Sequence, residues 1–148
     1  MKKGKLHIAI LISQYYPHIS QGLLEGAVAV LKEAGYGNKD YDIVAVPGSF
    51  EISYMCHILA KSKKYDAIVC LGCLIRGKTK HFDLIAEQVA RGIYEASVRY
   101  AIPISFGVLT PDSLRDAYMR SKPSSSHNRG RESMQVALQM TKLLSNLQ

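Results

Sequence analysis

The sequence predicts an α/β fold, a three-layer α/β/α sandwich around a four-stranded parallel sheet. Apolar runs of strand length alternate with amphipathic stretches of helix length, an order typical of βαβ units. The third and fourth runs are almost continuously apolar, which indicates strands covered on both faces. With 148 residues and an ordinary globular composition, the chain is expected to form a single domain, residues 1–148.

Turn-forming residues mark where each predicted strand ends. The four strands are His7–Ser13, Tyr41–Val46 before Pro47-Gly48, Ala67–Ile75 before Arg76-Gly77, and Ile104–Leu109 before Thr110-Pro111.

The segments between the strands show the periodicity of helices. Ser20 is predicted to cap the first helix and Gly35 to end it, and a second helix follows Gly48-Ser49. The third helix places its apolar residues on one face, Phe82, Ile85, Val89, Ile93 and Ala96. Asp83 lies on another face of this helix, where we expect it to be solvated.

Two further helices follow the fourth strand. A short helix is predicted over Asp112–Arg120, with proline at its first turn, and Ser121–Asn128 is a polar connector. The last helix begins at about Gly130 and carries a broad apolar face that includes Met134 and Leu138. That face suits packing on the chain's own sheet, on a neighbouring subunit, or on both.

The charge balance favours anionic ligands. Nineteen Lys and Arg residues against 12 Asp and Glu residues give a net charge of +7. The basic residues are spread from Lys2 to Lys142 rather than grouped with aromatic residues, which argues against nucleic acid as the partner. No apolar run approaches the ~18–20 residues of a membrane-spanning helix, so no membrane partner is expected.

Cysteine usage indicates a reduced protein. The run Leu6–Ile12 is interrupted by His7 and lacks a small-residue cleavage site, so we expect a cytoplasmic location. Cys70 and Cys73 form a C-x-x-C pattern, but residues three apart on a strand point to opposite faces. This spacing argues against a metal or redox site.

Open parallel sheets bind ligands at the carboxyl ends of their strands. The residues expected there combine aromatic side chains, a serine, a carboxylate and a basic loop, namely Tyr15, Tyr16, Ser49, Phe50, Glu51, Arg76–His81 and Phe106. Such a set suits a planar ring, hydroxyl groups and a phosphate. The glycine loops typical of dinucleotide and triphosphate sites do not follow any strand.

Three ordered blocks carry a resemblance to a known family. Val46–Ile52, Leu71–Asp83 and Pro103–Thr110 together resemble 6,7-dimethyl-8-ribityllumazine synthases, and similar segments extend over nearly the whole chain. The resemblance implies a flavodoxin-like sheet and the penultimate step of riboflavin synthesis. In that reaction 5-amino-6-(D-ribitylamino)uracil condenses with 3,4-dihydroxy-2-butanone 4-phosphate, and the lumazine, phosphate and water are formed.

The resemblance also implies how the site is built. Tyr15 matches the residue that stacks on the pyrimidine ring, while Ser49, Phe50 and Glu51 match the ribityl-binding stretch. Leu74 and Ile75 match positions whose backbone reads the edge of the heterocycle, and Phe106 is counted with the same substrate-binding group.

Phosphate binding and proton transfer are implied in the same way. Lys78, Thr79 and Arg120 match the phosphate region, with Arg120 supplied by a neighbouring subunit, and His81 matches the proton-transfer residue. We hypothesise that cationic Arg76, Lys78 and Lys80 favour neutral His81. The family uses no metal or organic cofactor, and its sites lie between subunits of a homopentamer or of an assembly of pentamers.

Two other functions fit parts of the pattern. A non-catalytic flavin- or pteridine-binding protein would use the same aromatic and ribityl contacts, although it has little use for Lys78, Thr79 and Arg120. A generic flavodoxin-like signalling or phosphosugar module would lack the three ordered blocks. The sequence departs from the usual family pattern at Lys78, Tyr15, Ser53, Cys73 and Arg129 and in the length of the connector.

Overall fold

A computed structural model describes residues 4–148 and contains the predicted parallel sheet. Its strands are β1 (Ile8–Ser13), β2 (Tyr41–Val46), β3 (Ala67–Cys73) and β4 (Ile104–Leu109), in the order β2-β1-β3-β4. The helices are α1 (Pro17–Glu33), α2 (Phe50–Lys61), α3 (His81–Tyr100), α4 (Leu114–Ser121) and α5 (Arg129–Leu147), with a 3-10 turn at Asn38–Asp40. The α/β class and the flavodoxin-like strand order are confirmed. No helix formed by residues 4–148 has the length and apolarity needed to cross a membrane.

Two apolar clusters, one on each face of the sheet, make the three layers. One joins β1 and β3 to α1 and α5 through residues such as Leu23 and Met134. The other joins the opposite face to α2 and α3 through residues such as Ile52 and Val89. Successive strand residues alternate between the two clusters, which is why β1 and β3 are fully buried.

The fourth strand corrects one expectation. Both β3 and β4 were expected to be covered on both faces, but β4 is an edge strand with Phe106 exposed, and the second fully buried strand is β1. The apolar run of β4 does not reveal that it lacks a neighbour on one side. β3 also ends at Cys73 rather than Ile75. The next residue, Leu74, still donates its N–H to the carbonyl oxygen of Leu109 at the end of β4.

Two helix starts differ from the prediction for local reasons. Ser20 does not cap α1, which begins at Pro17; its hydroxyl instead donates to the Ser13 carbonyl oxygen at the end of β1. α4 begins at Leu114 because Ser113 caps it, accepting a hydrogen bond from the Asp116 backbone N–H at 3.1 Å. Gly35 does follow the end of α1, with a left-handed φ of 84°.

Asn128 closes the polar connector. Its buried amide donates to the carbonyl oxygens of Gly22, Ser121 and Lys122, at 3.0, 2.8 and 3.1 Å. Its side-chain oxygen accepts from the Arg131 N–H at 3.0 Å, which caps α5. A single side chain therefore ties α1, the end of α4 and the start of α5 together.

The cysteines and α5 agree with their sequence patterns. Cys70 and Cys73 lie in opposite apolar clusters, and Cys70 Sγ is 3.8 Å from Cys56 Sγ. On α5, Met134 and Ala137 are buried against the chain's own core. The same helix leaves several apolar side chains exposed, Val136, Met140, Leu143 and Leu147.

Candidate active site

A cavity of about 560 Å³ lies at the carboxyl ends of β1, β2 and β3. Tyr15 from the end of β1, Glu51 from the first turn of α2 and His81 from the start of α3 all line it. In the strand order β2-β1-β3-β4, connections run in opposite directions on the two sides of β1, so a crevice opens between β1 and β3. The topology thus brings together three side chains that are distant in sequence.

Aromatic rings form the mouth of this cavity. Tyr15 is 69% exposed and Phe50 is 56% exposed, so each offers a ring face to a ligand. The Tyr16 ring packs edge-on against Tyr15, with centroids 5.0 Å apart. Burial, followed by the neighbouring Tyr15 and Cys73, raises the pKa of Tyr16, so its phenol stays a hydrogen-bond donor even in alkaline solution. The mouth therefore combines stacking surfaces with a hydrogen-bond donor.

The first turn of α2 forms a polar wall. The buried Ser49 hydroxyl donates to the Cys73 carbonyl oxygen at 3.4 Å, and the Ser49 carbonyl oxygen accepts from the Ile52 N–H at 3.1 Å. Because the N–H groups at the start of a helix lack intrahelical partners, those of Phe50 and Glu51 are placed to donate to a ligand. The Glu51 carboxylate lies over Gly48, where an added Cβ would come within 2.9 Å of Oε2. Hydroxyl groups suit such a wall of donors and one acceptor.

One side of the backbone beyond β3 is hydrogen-bonded to the end of β4 and the residues after it. The Leu74 N–H donates to the Leu109 carbonyl oxygen at 2.8 Å, and the Arg76 N–H donates to the Pro111 carbonyl oxygen at 3.1 Å. Because successive residues of an extended chain face opposite sides, Ile75 presents its backbone groups away from β4. Both Leu74 and Ile75 line the cavity, but of their two N–H groups only the Ile75 N–H is placed to meet a ligand.

The start of α3 offers an anion site. Thr79 accepts a hydrogen bond from the His81 N–H at 3.3 Å, and the helix's own bonding begins with the Leu84 N–H donating to the Lys80 carbonyl oxygen at 3.2 Å. The N–H groups of Phe82 and Asp83 precede that bond, at the positive end of the helix dipole. Thr79 and His81 line the cavity, whereas Lys78 is exposed outside its lining.

Arg76 is less available than the sequence suggested. Its guanidinium pairs with Asp83 and Asp112, each at 3.1 Å. Asp83 is exposed, as expected, but it is held by this ion pair. The positive charge that was expected to act on His81 from Arg76 is therefore balanced by two carboxylates.

Phe106 and Arg120 do not reach this cavity within one chain. They line a second cavity of about 520 Å³ beside the edge strand β4, together with residues such as Met119 and Arg129. Phe106 lies within β4, aligned with Cys70, rather than at the carboxyl end of the strand. Apart from Lys78, which lines neither, the predicted site residues are thus divided between two cavities of the same chain.

Sequence reasoning missed part of the first cavity's lining. The helical spacing of Phe82 and Ile85 predicts core positions, and Cys73 stands out in the sequence only for the C-x-x-C pattern and as a departure from the family pattern. Burial raises the pKa of the Cys73 thiol to about 12, so it forms a neutral part of the lining. The signal for Phe82 was its place in the first turn of α3, next to His81.

Two comparisons with known proteins point to the same family. Residues 5–145 match the sequence profile of the 6,7-dimethyl-8-ribityllumazine synthase family. The chain is also similar to the 6,7-dimethyl-8-ribityllumazine synthase of Campylobacter hominis, with 39% identity over 144 residues. That alignment covers 97% of this chain and 92% of the relative.

Proposed function

Because this chain belongs to the 6,7-dimethyl-8-ribityllumazine synthase family and is an enzyme of riboflavin biosynthesis, we propose that its substrates meet in the cavity beside Tyr15. The family implies 5-amino-6-(D-ribitylamino)uracil and 3,4-dihydroxy-2-butanone 4-phosphate as these substrates. The observation that carries the proposal is the convergence of Tyr15, Glu51, Thr79 and His81 on one cavity from three separate segments, the end of β1, the start of α2 and the segment that leads into α3.

The pyrimidine substrate occupies the half of the cavity between β1 and α2. Tyr15 stacks on its ring, and the polar wall formed by Ser49, Phe50 and Glu51 receives the ribityl hydroxyls. The Ser49 side chain is engaged with Cys73, so its contribution is to hold the start of α2 in place. The free backbone of Ile75 meets the polar edge of the ring.

The phosphate of the second substrate lies at the start of α3. The Thr79 hydroxyl and the free N–H groups of the first turn give neutral donors, and the helix dipole adds a favourable potential. Exposed Lys78 contributes charge from outside the cavity. These donors also stabilise the phosphate as it leaves.

His81 transfers protons during imine formation and phosphate elimination. Imidazole suits both steps because it exchanges protons near neutral pH. Supporting this role, His81 lines the same cavity as Glu51 of the polar wall and Thr79 of the anion site. Holding two reactive substrates side by side supplies much of the acceleration before any proton moves.

Phe106 and Arg120 complete the cavity of a neighbouring copy in a homo-oligomer, which we take to be a pentamer or an assembly of pentamers. Supporting this arrangement, the two residues lie in a second cavity on the β4 edge, and neither lines the first cavity of its own chain. Large exposed apolar side chains on α2, including Phe50, Tyr54 and Ile58, suit burial against another copy.

Complementation between two inactive variants tests the shared site. One variant carries Glu51→Ala and His81→Ala, and the other carries Phe106→Ala and Arg120→Ala. When the two are co-expressed in equal amounts, about a quarter of the interfaces of a ring pair an intact first cavity with an intact second one. We expect activity well above the mean of the two parents; activity equal to that mean, or a monomer on sedimentation, would overturn the shared site.

A further inference from the structure

Arg76 is held on several sides beside the proposed phosphate site. Nη1 lies 3.1 and 3.4 Å from the two carboxylate oxygens of Asp83, and Nε lies 3.1 Å from Asp112 Oδ1. The guanidinium carbon is 4.5 Å from the centroid of the Phe82 ring, a cation–π contact. Because Phe82 is only 8% exposed, the guanidinium has a fixed surface to rest on.

Asp83 carries a carboxylate in the first turn of α3, where the phosphate is proposed to bind. It is the third residue of α3, and its N–H group precedes the first bond within the helix. The positive end of a helix attracts any anion, including a carboxylate of the helix's own first turn. An unpaired Asp83 would compete with the phosphate for these N–H groups and would repel it.

We propose that Arg76 is a positioning residue for the phosphate-bearing substrate, because its ion pair with Asp83 keeps a competing carboxylate away from the start of α3. The inference rests on the proposed placement of the phosphate at Thr79 and the first turn of α3. It assigns Arg76 an indirect role through Asp83, and Arg76 does not itself contact the phosphate.

Two variants separate this indirect role from direct binding. Arg76→Gln is expected to raise the inhibition constant of inorganic phosphate and the KM for the butanone phosphate by roughly five- to tenfold, with the KM for the pyrimidine substrate within about twofold. Adding Asp83→Asn to Arg76→Gln removes the competing charge and is expected to restore both constants to within about twofold of the original protein. A double variant as weak as Arg76→Gln would overturn the inference, because it would show that the guanidinium itself binds the phosphate.

Matched controls distinguish a role for Arg76 from a loss of folding and from a wrong placement of the phosphate. Arg91→Gln breaks an exposed ion pair with Glu95 on the same helix and is expected to leave phosphate inhibition unchanged. Thermal midpoints of all variants are measured, because exposed ion pairs contribute little to stability.

If Thr79→Ala weakens phosphate inhibition and Arg76→Gln does not, the role of Arg76 is wrong while the phosphate placement stands. If Thr79→Ala has no effect, the placement itself is wrong, and the role of Arg76 falls with it.

Discussion

The Ser49 hydroxyl donates to the Cys73 carbonyl oxygen across 3.4 Å, joining the start of α2 to the end of β3. These two segments are walls of the same cavity. Gly72 allows the approach, because a Cβ at this position would lie 2.9 Å from Ser49 Oγ and 3.1 Å from Ile52 Cδ1. A residue that does not itself line the cavity thus allows two of its walls to approach each other.

Gly72→Ala is therefore expected to lower both stability and activity. Overpacking at a buried position costs about 1–3 kcal/mol, to be measured as the free energy of unfolding in urea. Displacement of Ser49 should raise the KM for the pyrimidine substrate more than that for the phosphate-bearing one. Gly4→Ala is the control, since nothing lies within 4 Å of its added Cβ. Equal stability of the two variants would contradict the packing argument.

Tyr15 tests the stacking role apart from stability. Because its side chain is 69% exposed, Tyr15→Ala should leave the thermal midpoint nearly unchanged. Loss of the ring face is expected to raise the KM for the pyrimidine substrate by about tenfold, and Tyr15→Phe should retain the original value to within about twofold. Steady-state kinetics with each substrate varied in turn measure the effect. A Tyr15→Ala enzyme with an unchanged KM would remove Tyr15 from the site.

His81 tests how much of the catalysis depends on proton transfer. His81→Ala is expected to lower kcat by about ten- to a hundredfold, at or below the lower limit of the range for general acid–base catalysis, because proximity supplies much of the acceleration. Both KM values should change little. Lumazine formation and phosphate release should fall together. Undiminished turnover by His81→Ala would rule out a catalytic role for this residue.

The position of the first cavity was predictable from the sequence for a physical reason. Apolar runs bounded by turn residues located the strands, and parallel strands expose their carboxyl ends at one edge of a sheet. That rule alone places Tyr15, Glu51 and His81 near one another. The family resemblance added the role that we propose for each of them.

Features that depend on the packing of distant segments were not predictable in this way. Phe106 sits on an edge strand, and no local pattern shows which strand ends a sheet. The partners of Arg76 are 7 and 36 residues away, so their convergence depends on the folded loops. The prediction that Ser20 caps α1 is wrong because the helix begins three residues earlier, at Pro17.

Asn128 is a structural residue whose amide donors matter more than its size. Asn128→Asp keeps the shape but replaces an amide that donates to three carbonyl oxygens with a carboxylate that repels them. We expect a loss of at least about 3 kcal/mol in the free energy of unfolding at pH 7, and a smaller loss for Asn128→Ala. Asn146→Asp, on the exposed last turn of α5, is the matched control and should cost less than about 1 kcal/mol. Similar losses for the two aspartates would refute the assigned hydrogen bonds.

Asp42 makes the stability of the fold depend on pH. Its Oδ2 lies 2.6 Å from Lys64 Nζ, 2.8 Å from the Tyr65 hydroxyl and 3.2 Å from His7 Nε2. The hydrogen bond from Lys64, then those from Tyr65 and His7, hold the pKa of Asp42 well below its usual value. The folded protein therefore keeps this carboxylate charged at a pH where the unfolded chain has protonated it.

The sign of the effect follows from that lowered pKa. The stabilisation is complete above the unfolded pKa of about 3.9 and is lost as the pH falls further toward the folded value. The difference in the free energy of unfolding between the original protein and Asp42→Asn should shrink as the pH falls below about 4. Urea denaturation at low ionic strength measures it, because salt screens an exposed pair. In a Lys64→Met background the difference should be smaller throughout, since Lys64 is the largest cause of the shift. A difference that grew as the pH fell would mean that the charged carboxylate destabilises the fold.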